Sequence, residues 1–490
     1  MTTAAQERLV EVGVVEVSGV APVPVGVEKT FRPYDPDQVL LMAPVLRDWV
    51  PEGDLAHFVA DLVDSGVLDL SAIYADYVEE RGFAPYDPRL MVKLLLYGYA
   101  IGVTSSRKLE RASYRDVAVR MLCADQHPDF RSIARFRRRH LEALADLFVQ
   151  SLRLCQRAKL VGLGVLAADG TKLRANASRH KAMSYERMRD SESELEAEIA
   201  ALRARVDALF ADAEATDRAE DAEHGADRRG DELPDELQRR EQRLKVIREA
   251  KQALEAEARQ AEQARRAEMA EQGKRPRRPS SGRDPFKPKP KAQRNFTDPD
   301  SRIMRTSDGA FHQCYNGQAI VDSVTQVIVA CDAFDQAPDA QLLEPLLEQL
   351  ADNLQTIDAA LPDDAALLGD AGYLSEHNLL ITERHRLDPH IAPGRIKHSD
   401  PSGKAPPPSA DATPKRLMAR KLTEAAGAAL YARRKTIVEP VFGQMQTVQD
   451  ARQLRMRGKP AARAQWRFQC TIHNLLKLHR NGGLALVPTG

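Results

Sequence analysis

Three acidic residues, each beside an apolar segment, have types and positions that suit metal-dependent phosphodiester chemistry. Asp169 follows the uncharged run 160–168, and Asp370 follows the short apolar run 365–368 after one glycine. If both runs are neighbouring parallel strands, the two carboxylates emerge at one edge of a sheet, where ligands bind in open α/β folds. Two carboxylates and a third from a nearby helix can hold two Mg²⁺ ions about 4 Å apart. Glu439, in a basic carboxyl-terminal region, is the best candidate for the third.

Each of these residues also has a structural explanation. An Asp before Gly is commonly a turn or capping residue. Glu439 precedes Pro440, which is favoured at the first position of a helix, so this pair could mark a helix start. His312, Asn316 and His377 lie near the same edge by topology, and we expect them to form hydrogen bonds rather than ligate metal.

The cysteines argue against another kind of metal site. The chain has five, with no C-x-x-C pair, which argues against both a zinc module and a disulfide framework. We predict that all of them are buried small hydrophobic residues. They are Cys123, Cys155, Cys314, Cys331 and Cys470.

Charge is balanced overall but strongly segregated. Lys plus Arg and Asp plus Glu each total 71, yet residues 186–271 carry 25 acids and 16 bases. Residues 274–305 carry 11 bases and 3 acids, and residues 431–480 carry 11 bases and 2 acids. Basic stripes indicate a polyanionic partner. The Pro- and Ser-rich segment 274–305 could equally be a solvated tail, whereas apolar residues interleave with the bases of 431–480 and predict a folded basic surface.

The elements that must position the acids follow from periodicity. Helical patterns fill most of 37–154, and the basic run 131–140 reads as a short helix that could lie in a DNA groove or simply pack in a helical domain. Heptad seams within 195–209 and 237–254 predict an antiparallel helical hairpin. Removing that hairpin leaves antiparallel strands, a helix, a strand and further helices. This is the order of a ribonuclease-H-like α/β core.

The predicted domain organisation combines these patterns, and a chain of 490 residues has room for about three domains. No uncharged apolar run approaches the roughly 20 residues of a membrane helix, and no signal peptide precedes the first charges, so we expect no membrane partner. The predicted segments are a loose arm (1–30), a helical DNA-binding domain (31–155), a catalytic domain (156–180 and 306–480), an acidic helical hairpin (181–273) and a basic Pro-rich linker (274–305).

Several motifs carry a family resemblance over about residues 31–480. The chain resembles bacterial insertion-sequence transposases of the DDE class. The similar stretches are FRPYDPDQVLLMAP (31–44), AADGTKLRANAS (167–178), YNGQAIVD (315–322), GDAGYLSEHNL (369–379), RRKTIVEPVFGQMQ (433–446) and HNLLKLHR (473–480).

The resemblance implies both a fold and an activity. The fold is an α/β ribonuclease-H-like catalytic core with a long coiled-coil hairpin insertion, preceded by an all-α amino-terminal domain. The activity is Mg²⁺-dependent cleavage and strand transfer at terminal inverted repeats, with two ions and with Mn²⁺ as the expected substitute. Carried over by motif, Asp169, Asp370 and Glu439 are both the catalytic and the metal-binding residues.

The implied partners are double-stranded DNA, both the inverted repeats and the target, and further copies of the chain in a dimer or larger synaptic complex. The implied location is the bacterial cytoplasm, in association with the nucleoid. The residues predicted to contact DNA are Lys172, Arg174, Arg135, Arg137, Arg138, Arg139, Arg433, Arg434, Lys435, Arg452, Arg455 and Arg457.

One departure from the family pattern concerns DNA binding. Related transposases carry a Tyr, Arg, Glu, Lys signature around the third acid, and here Arg434 lies one residue further from Glu439 than usual. Gln446 stands where a Lys is expected, so it can only form hydrogen bonds where a Lys would place a charge near phosphate. Arg452, Arg455 and Arg457 could compensate for the missing charge.

Two other functions fit the same residues. A ribonuclease-H-like nuclease would cleave DNA without joining it. A transposase-derived DNA-binding or scaffold protein would retain DNA affinity while Asp169 and Asp370 became dispensable.

Overall fold

The computed structural model describes residues 31–34, 45–78, 84–178, 182–220, 234–271, 273, 275, 284–394 and 413–487. The predicted arm 1–30, residues 35–44 of the 31–44 motif, residues 395–412 and most of 274–283 lie outside these residues. The chain divides into two compact units, one comprising Met1–Arg174 and Tyr315–Gly490 and the other Ala175–Cys314.

The first unit contains most of the helices. In the described residues they are α1 (Leu55–Asp64), α2 (Ser71–Tyr74), α3 (Pro88–Ala100), α4 (Ser106–Arg115), α5 (Val117–Leu122), α6 (Phe130–Arg139), α7 (Leu141–Arg157), α10 (Leu343–Thr356), α11 (Glu376–Arg384), α12 (Pro414–Lys421), α13 (Ala425–Ala432), α14 (Arg434–Thr447) and α15 (Lys459–Arg480). The second unit contains α8 (Tyr185–Glu220) and α9 (Pro234–Glu271).

The strands form two sheets. They are β1 (Val165–Arg174), β2 (Ala182–Ser184), β3 (Gln293–Asn295), β4 (Arg302–Arg305), β5 (Phe311–Asp322), β6 (Ile328–Phe334), β7 (Ala366–Gly369) and β8 (Asp388–Ile391). In the first unit the order is β6, β5, β1, β7, β8, with β5 and β6 antiparallel and β1, β7 and β8 parallel. The fold is therefore mixed α/β, with a helical amino-terminal region and a sheet in the carboxyl-terminal part.

Local signals explain where the amino-terminal helices start. Helix α3 begins at Pro88 because Asp87 caps it, accepting a hydrogen bond from the Arg89 amide at 2.8 Å. Asp129 caps α6 in the same way through the amides of Arg131 and Ser132. Helix α6 then buries an apolar face and leaves most of its arginines at the surface, which is the amphipathic pattern of a helix at the edge of a core.

The predicted strand before Asp169 is displaced along the chain. The run 160–168 was expected to be the strand, but β1 begins at Val165 and continues through Asp169 to Arg174. The reason is local: Leu163 has a positive φ of 60°, and the amides of Gly162 and Leu163 donate to Asp322 Oδ2 instead of to a neighbouring strand. Asp169 therefore lies within the strand rather than after its end.

Helix α15 packs against the antiparallel strands and forms hydrogen bonds with their backbone. Asn474 bonds both backbone groups of Ile328, accepting from its amide at 2.8 Å and donating to its carbonyl at 2.9 Å. Trp466 is fully buried and donates from Nε1 to the carbonyl of Gln318 at 2.9 Å. The five cysteines are free and buried, as predicted.

The second unit is built around two long helices. Ion pairs link Arg203 to Glu241 and Lys251 to Glu192, so residue numbers fall along one helix as they rise along the other and the helices run antiparallel. An apolar cluster lies between them. Its aliphatic members are Leu195, Ile199, Leu244, Ile247, Ala250 and Leu254. All but Ala250 belong to the predicted heptad seams, and the further seam residue Leu202 is buried outside the cluster. Side chains 205–238 and the turn 221–233 lie outside the described residues.

Burial of His473 should make the fold acid-sensitive. Its Nε2 lies 2.8 Å from the Gln326 carbonyl, and its Nδ1 is buried with no hydrogen-bond partner, so burial lowers the pKa of His473 to about 4. Because the unfolded pKa is near 6.5, this residue's contribution is complete above that pH and is lost as pH falls towards 4. We expect the urea midpoint of His473→Gln to fall less than that of wild type between pH 7 and pH 5. His377→Gln, at an exposed position, is the control and should follow wild type; parallel profiles for H473Q and wild type would contradict the assignment.

Candidate active site

The parallel pairing of β1 and β7 sets the geometry of the candidate site. Ala167 on β1 lies opposite Leu368 on β7. Because the strands are parallel, Asp169 and Asp370, each two residues further along the chain, are level with each other. The sequence-based expectation that these two runs are parallel neighbours is therefore confirmed. Asp370 also caps the short 3₁₀ helix that follows, accepting from the Gly372 amide at 2.8 Å. Asp370 therefore both caps this short helix and lies at the sheet edge beside Asp169.

Arg434, at the start of α14, contacts Asp169 directly. Its Nη1 donates to Asp169 Oδ2 at 3.0 Å, while Asp169 Oδ1 accepts from the Gly170 amide at 2.8 Å. Burial raises the pKa of Asp169, and the charge of Asp370 adds to that rise, whereas Arg434 and the Gly170 amide oppose it. The guanidinium therefore provides the positive charge beside this carboxylate.

A third carboxylate near the edge, Asp339, was not predicted. It starts a short 3₁₀ helix after β6, and its Oδ1 accepts from Asn316 at 2.7 Å, Gln318 at 2.9 Å and Lys172 at 3.2 Å. The available signal was an acid a few residues after an apolar strand run, which is the pattern that identified Asp169.

Gly372 and Tyr373 connect the two acids that follow strands β6 and β7. A Cβ at Gly372 would lie 3.0 Å from Asp370 Oδ1 and 3.2 Å from Asp339 Oδ2, so glycine keeps the space between them open. Tyr373 is fully buried and donates to Gln318 Oε1. Burial raises the pKa of Tyr373 well above its usual range, and the charges of Asp169, Asp339 and Asp370 add to the rise. The tyrosine therefore remains a neutral hydrogen-bond donor.

Glu439 is positioned by α14 but is not gathered into the acidic group. It is exposed and lies two helical turns before Gln446, on the same side of the helix. Gln446 donates from Nε2 to Thr171 Oγ1 at 2.7 Å, so the position where a Lys was expected anchors α14 to β1. Within the described ranges, no group of three or more His, Cys, Asp or Glu residues is arranged to hold a metal ion.

The basic residues predicted to contact DNA fall into three groups. The exposed group comprises Arg135, Arg138, Arg139, Arg174, Arg433, Lys435, Arg452 and Arg457. Lys172, Arg434 and Arg455 pair with Asp339, Asp169 and Asp450, respectively. Arg137 needs correction: it is buried and donates to Tyr99 Oη, the Thr104 carbonyl and Ser106 Oγ, so its guanidinium is used inside the fold.

The polar residues expected near the edge have separate surroundings. Asn316 holds Asp339, as described above, and His377 is exposed with its Nε2 2.9 Å from Glu344 Oε2. His312 belongs to the second unit, where its Nε2 lies 3.5 Å from Asp308 Oδ2. Asn316 and His377 thus form hydrogen bonds, as expected.

Comparison with known families decides the identity of the chain. Residues 44–139 match the family described as Transposase domain (DUF772), and residues 290–475 match the family described as Transposase DDE domain. The chain belongs to the DDE transposases of insertion sequences. The second match includes Asp370 and Glu439, and Asp169 precedes it. No curated protein and no solved structure matches this transposase.

Two further points concern this transposase. DDE domains belong to enzymes that cleave and transfer DNA and that typically use a divalent metal. Among the helices in the described part of the chain, none is long and apolar enough to span a bilayer.

The ion pair between Arg434 and Asp169 should be energetically coupled. Arg434→Gln would leave a largely buried carboxylate beside Asp370 without its cation, and we expect a loss of about 1–3 kcal/mol of unfolding free energy. Adding Asp169→Asn should recover part of that loss, because the unpaired charge is removed. Urea unfolding of the single and double variants measures the coupling. Lys435→Gln, at the next, exposed position, is the control and should stay within about 0.5 kcal/mol of wild type; purely additive effects would contradict the pairing.

Proposed function

We propose that this transposase binds the terminal inverted repeats of an insertion sequence and cleaves and joins DNA at the edge formed by Asp169, Asp370 and Glu439. The observation that carries the proposal is the register of β1 and β7, which makes the two aspartates level at one sheet edge. Membership of the DDE transposases supports the reaction class. Hydrolysis would release a 3′-hydroxyl, and transesterification would join it to target DNA.

The fold supports a finer description. An antiparallel pair of strands next to parallel strands, with helices packed against them, is consistent with a ribonuclease-H-like core formed by 156–180 and 306–480. The antiparallel pair α8 and α9 supports a coiled-coil hairpin inserted at 181–273. In this proposal residues 31–155 form the helical DNA-binding domain.

The acidic residues suit Mg²⁺ in chemical type. Carboxylate oxygens are the ligands that this hard cation prefers, and two of the three proposed ligands already lie level on adjacent strands. Asp169, Asp370 and Glu439 would hold the ions. When bound, the metal would activate the attacking water or 3′-hydroxyl and stabilise the leaving oxygen.

Residues outside the acidic group have the other proposed roles. Arg434 balances the charge of Asp169 in the protein alone, and on release from that carboxylate its planar guanidinium could pair with a DNA phosphate. Gln446 fixes α14 on β1 through Thr171, and this contact sets the position from which Glu439 must reach the other acids. The exposed basic residues on α6, on α14 and in the loop before α15 would contact the DNA backbone.

DNA handling requires more than one copy of the chain. Two transposon ends must be brought together before joining, so we propose a homodimer or larger synaptic complex. The specific base contacts would come from the amino-terminal helices, while the carboxyl-terminal basic residues would contribute the phosphate contacts and hence most of the salt dependence.

One observation favours a second candidate, an inactive DNA-binding derivative. Glu439 is exposed and is not grouped with the two aspartates. A protein that bound DNA but never assembled its third acid would act as a scaffold. The two candidates differ in whether DNA is cut.

A cleavage and joining assay tests the proposal. Purified protein, Mg²⁺ and labelled duplexes from DNA flanking its own gene should give nicking at a defined site followed by joined product. Asp370→Asn and Glu439→Gln should each lower the rate by at least about a hundredfold while leaving DNA affinity near wild type, because each removes a metal-binding charge.

Asp364→Asn is the matched control, since this exposed acid precedes β7 at the opposite end of the strand from Asp370. It should retain wild-type cleavage. Binding without cleavage by wild type in either Mg²⁺ or Mn²⁺ would overturn the enzymatic proposal and favour the scaffold. Cleavage without any joined product would favour a nuclease.

A further inference from the structure

A cavity of about 260 Å³ lies beside helix α6, in the helical amino-terminal region. Its walls include three arginines, Arg32, Arg135 and Arg139, and two tyrosines, Tyr77 and Tyr86. None of the described residues that line it is acidic. Guanidinium groups gathered without a lining carboxylate create a positive potential, which favours an anionic ligand.

Two of the arginines are held in place against aromatic rings. The Arg32 guanidinium lies 4.2 Å from the centroid of the Tyr86 ring, and its Nε donates to the Ala84 carbonyl at 2.7 Å. The Arg139 guanidinium lies 4.7 Å from the centroid of the Tyr77 ring and donates to the Asp76 carbonyl. These contacts restrict both side chains before any ligand binds, which reduces the entropic cost of binding.

One acid, Asp76, lies beside Arg139 but does not line the cavity. The Asp76 carboxylate pairs with His140, whose Nδ1 lies 2.7 Å from Asp76 Oδ2. Burial lowers the pKa of His140, so the imidazole is neutral near pH 7 and Asp76 keeps its negative charge. The cavity stays positive because three guanidinium groups line it.

Arg135 is the arginine available to a ligand. It is exposed on α6, lines the cavity, and makes no hydrogen bond or ion pair with any residue in the described part of the chain. A guanidinium carries five N–H donors in a planar fork that matches the oxygens of a phosphate. Tyr86 and Phe136 line the same cavity, so apolar and aromatic surface is present together with these donors.

We propose that this cavity binds one unpaired nucleotide of the DNA substrate, with the phosphate on Arg135 and the base against the guanidinium planes of Arg32 and Arg139, which lie over the two tyrosine rings. The identification of DNA rests on the proposed function. A cavity of this volume admits a single group rather than a duplex surface, and a nucleotide combines an anionic part with a flat π-face that stacks on Arg guanidinium planes. An unpaired nucleotide occurs at a cleaved or frayed end, so the site would recognise ends rather than continuous duplex.

The test compares two DNA probes and two matched variants in EDTA, where no metal-dependent reaction occurs. One probe is a blunt duplex of the transposon end, and the other carries a single unpaired 3′-terminal 2-aminopurine. Arg135→Ala should weaken binding of the overhang probe about tenfold and remove its 2-aminopurine fluorescence change, since a charge-assisted phosphate contact is lost. The blunt duplex should change by about twofold or less. Arg135→Lys should recover part of the affinity.

Arg138→Ala is the control, because Arg138 is an exposed arginine on the same helix that does not line the cavity. It should weaken binding of both probes by the same factor, because the proposed contact of Arg138 with the DNA backbone is common to both. Equal effects of R135A and R138A on both probes would overturn the proposal, as would an unchanged 2-aminopurine signal in R135A or no preference of wild type for the overhang. Failure of wild type to cleave DNA in Mg²⁺ counts instead against the proposed function, so the two failures are distinguishable.

Discussion

The parallel pairing of β1 with β7 is the constraint on which the rest of the site depends. It makes Asp169 and Asp370 level, so two carboxylates share one sheet edge and repel each other. Burial of Asp169 adds a desolvation cost to that repulsion. The chain offsets both effects with Arg434, and this need links a helix far along the sequence to the central strand.

The same requirement explains why α14 lies where it does. Arg434 contacts Asp169 near the start of the helix and Gln446 contacts Thr171 near its end, so both ends of α14 are tied to β1. Glu439 lies between these contacts and faces solvent. The helix is thus held against the strand while its acid stays available. In the proposed function, a bound divalent cation would supply the counter-charge that draws this acid towards the two aspartates.

The sequence predicts the site only where an acidic residue follows an apolar run that indicates a strand. Apolar runs before Asp169 and Asp370 identify both strands, although positive φ at Leu163 moves the start of β1 towards Asp169. Asp339 has in the sequence only the weak signal of an acid a few residues after an apolar run, and its importance comes from three side chains that the fold brings to it. Arg137 was wrongly predicted to contact DNA. It shares a basic run with exposed arginines, and only tertiary packing determines that it is buried. Periodicity predicts elements, whereas these contacts depend on the three-dimensional arrangement.

Metal-directed cleavage of the protein backbone tests the central claim most directly. Fe²⁺ in place of Mg²⁺, with ascorbate and peroxide, generates radicals that cut the chain beside the bound ion, and mass spectrometry locates the cuts. With transposon-end DNA bound, we predict cuts near Asp169, Asp370 and Glu439 that excess Mg²⁺ suppresses. Cuts confined to other acidic positions, or cuts at these three that Mg²⁺ does not suppress, would contradict a metal site at the edge of β1 and β7.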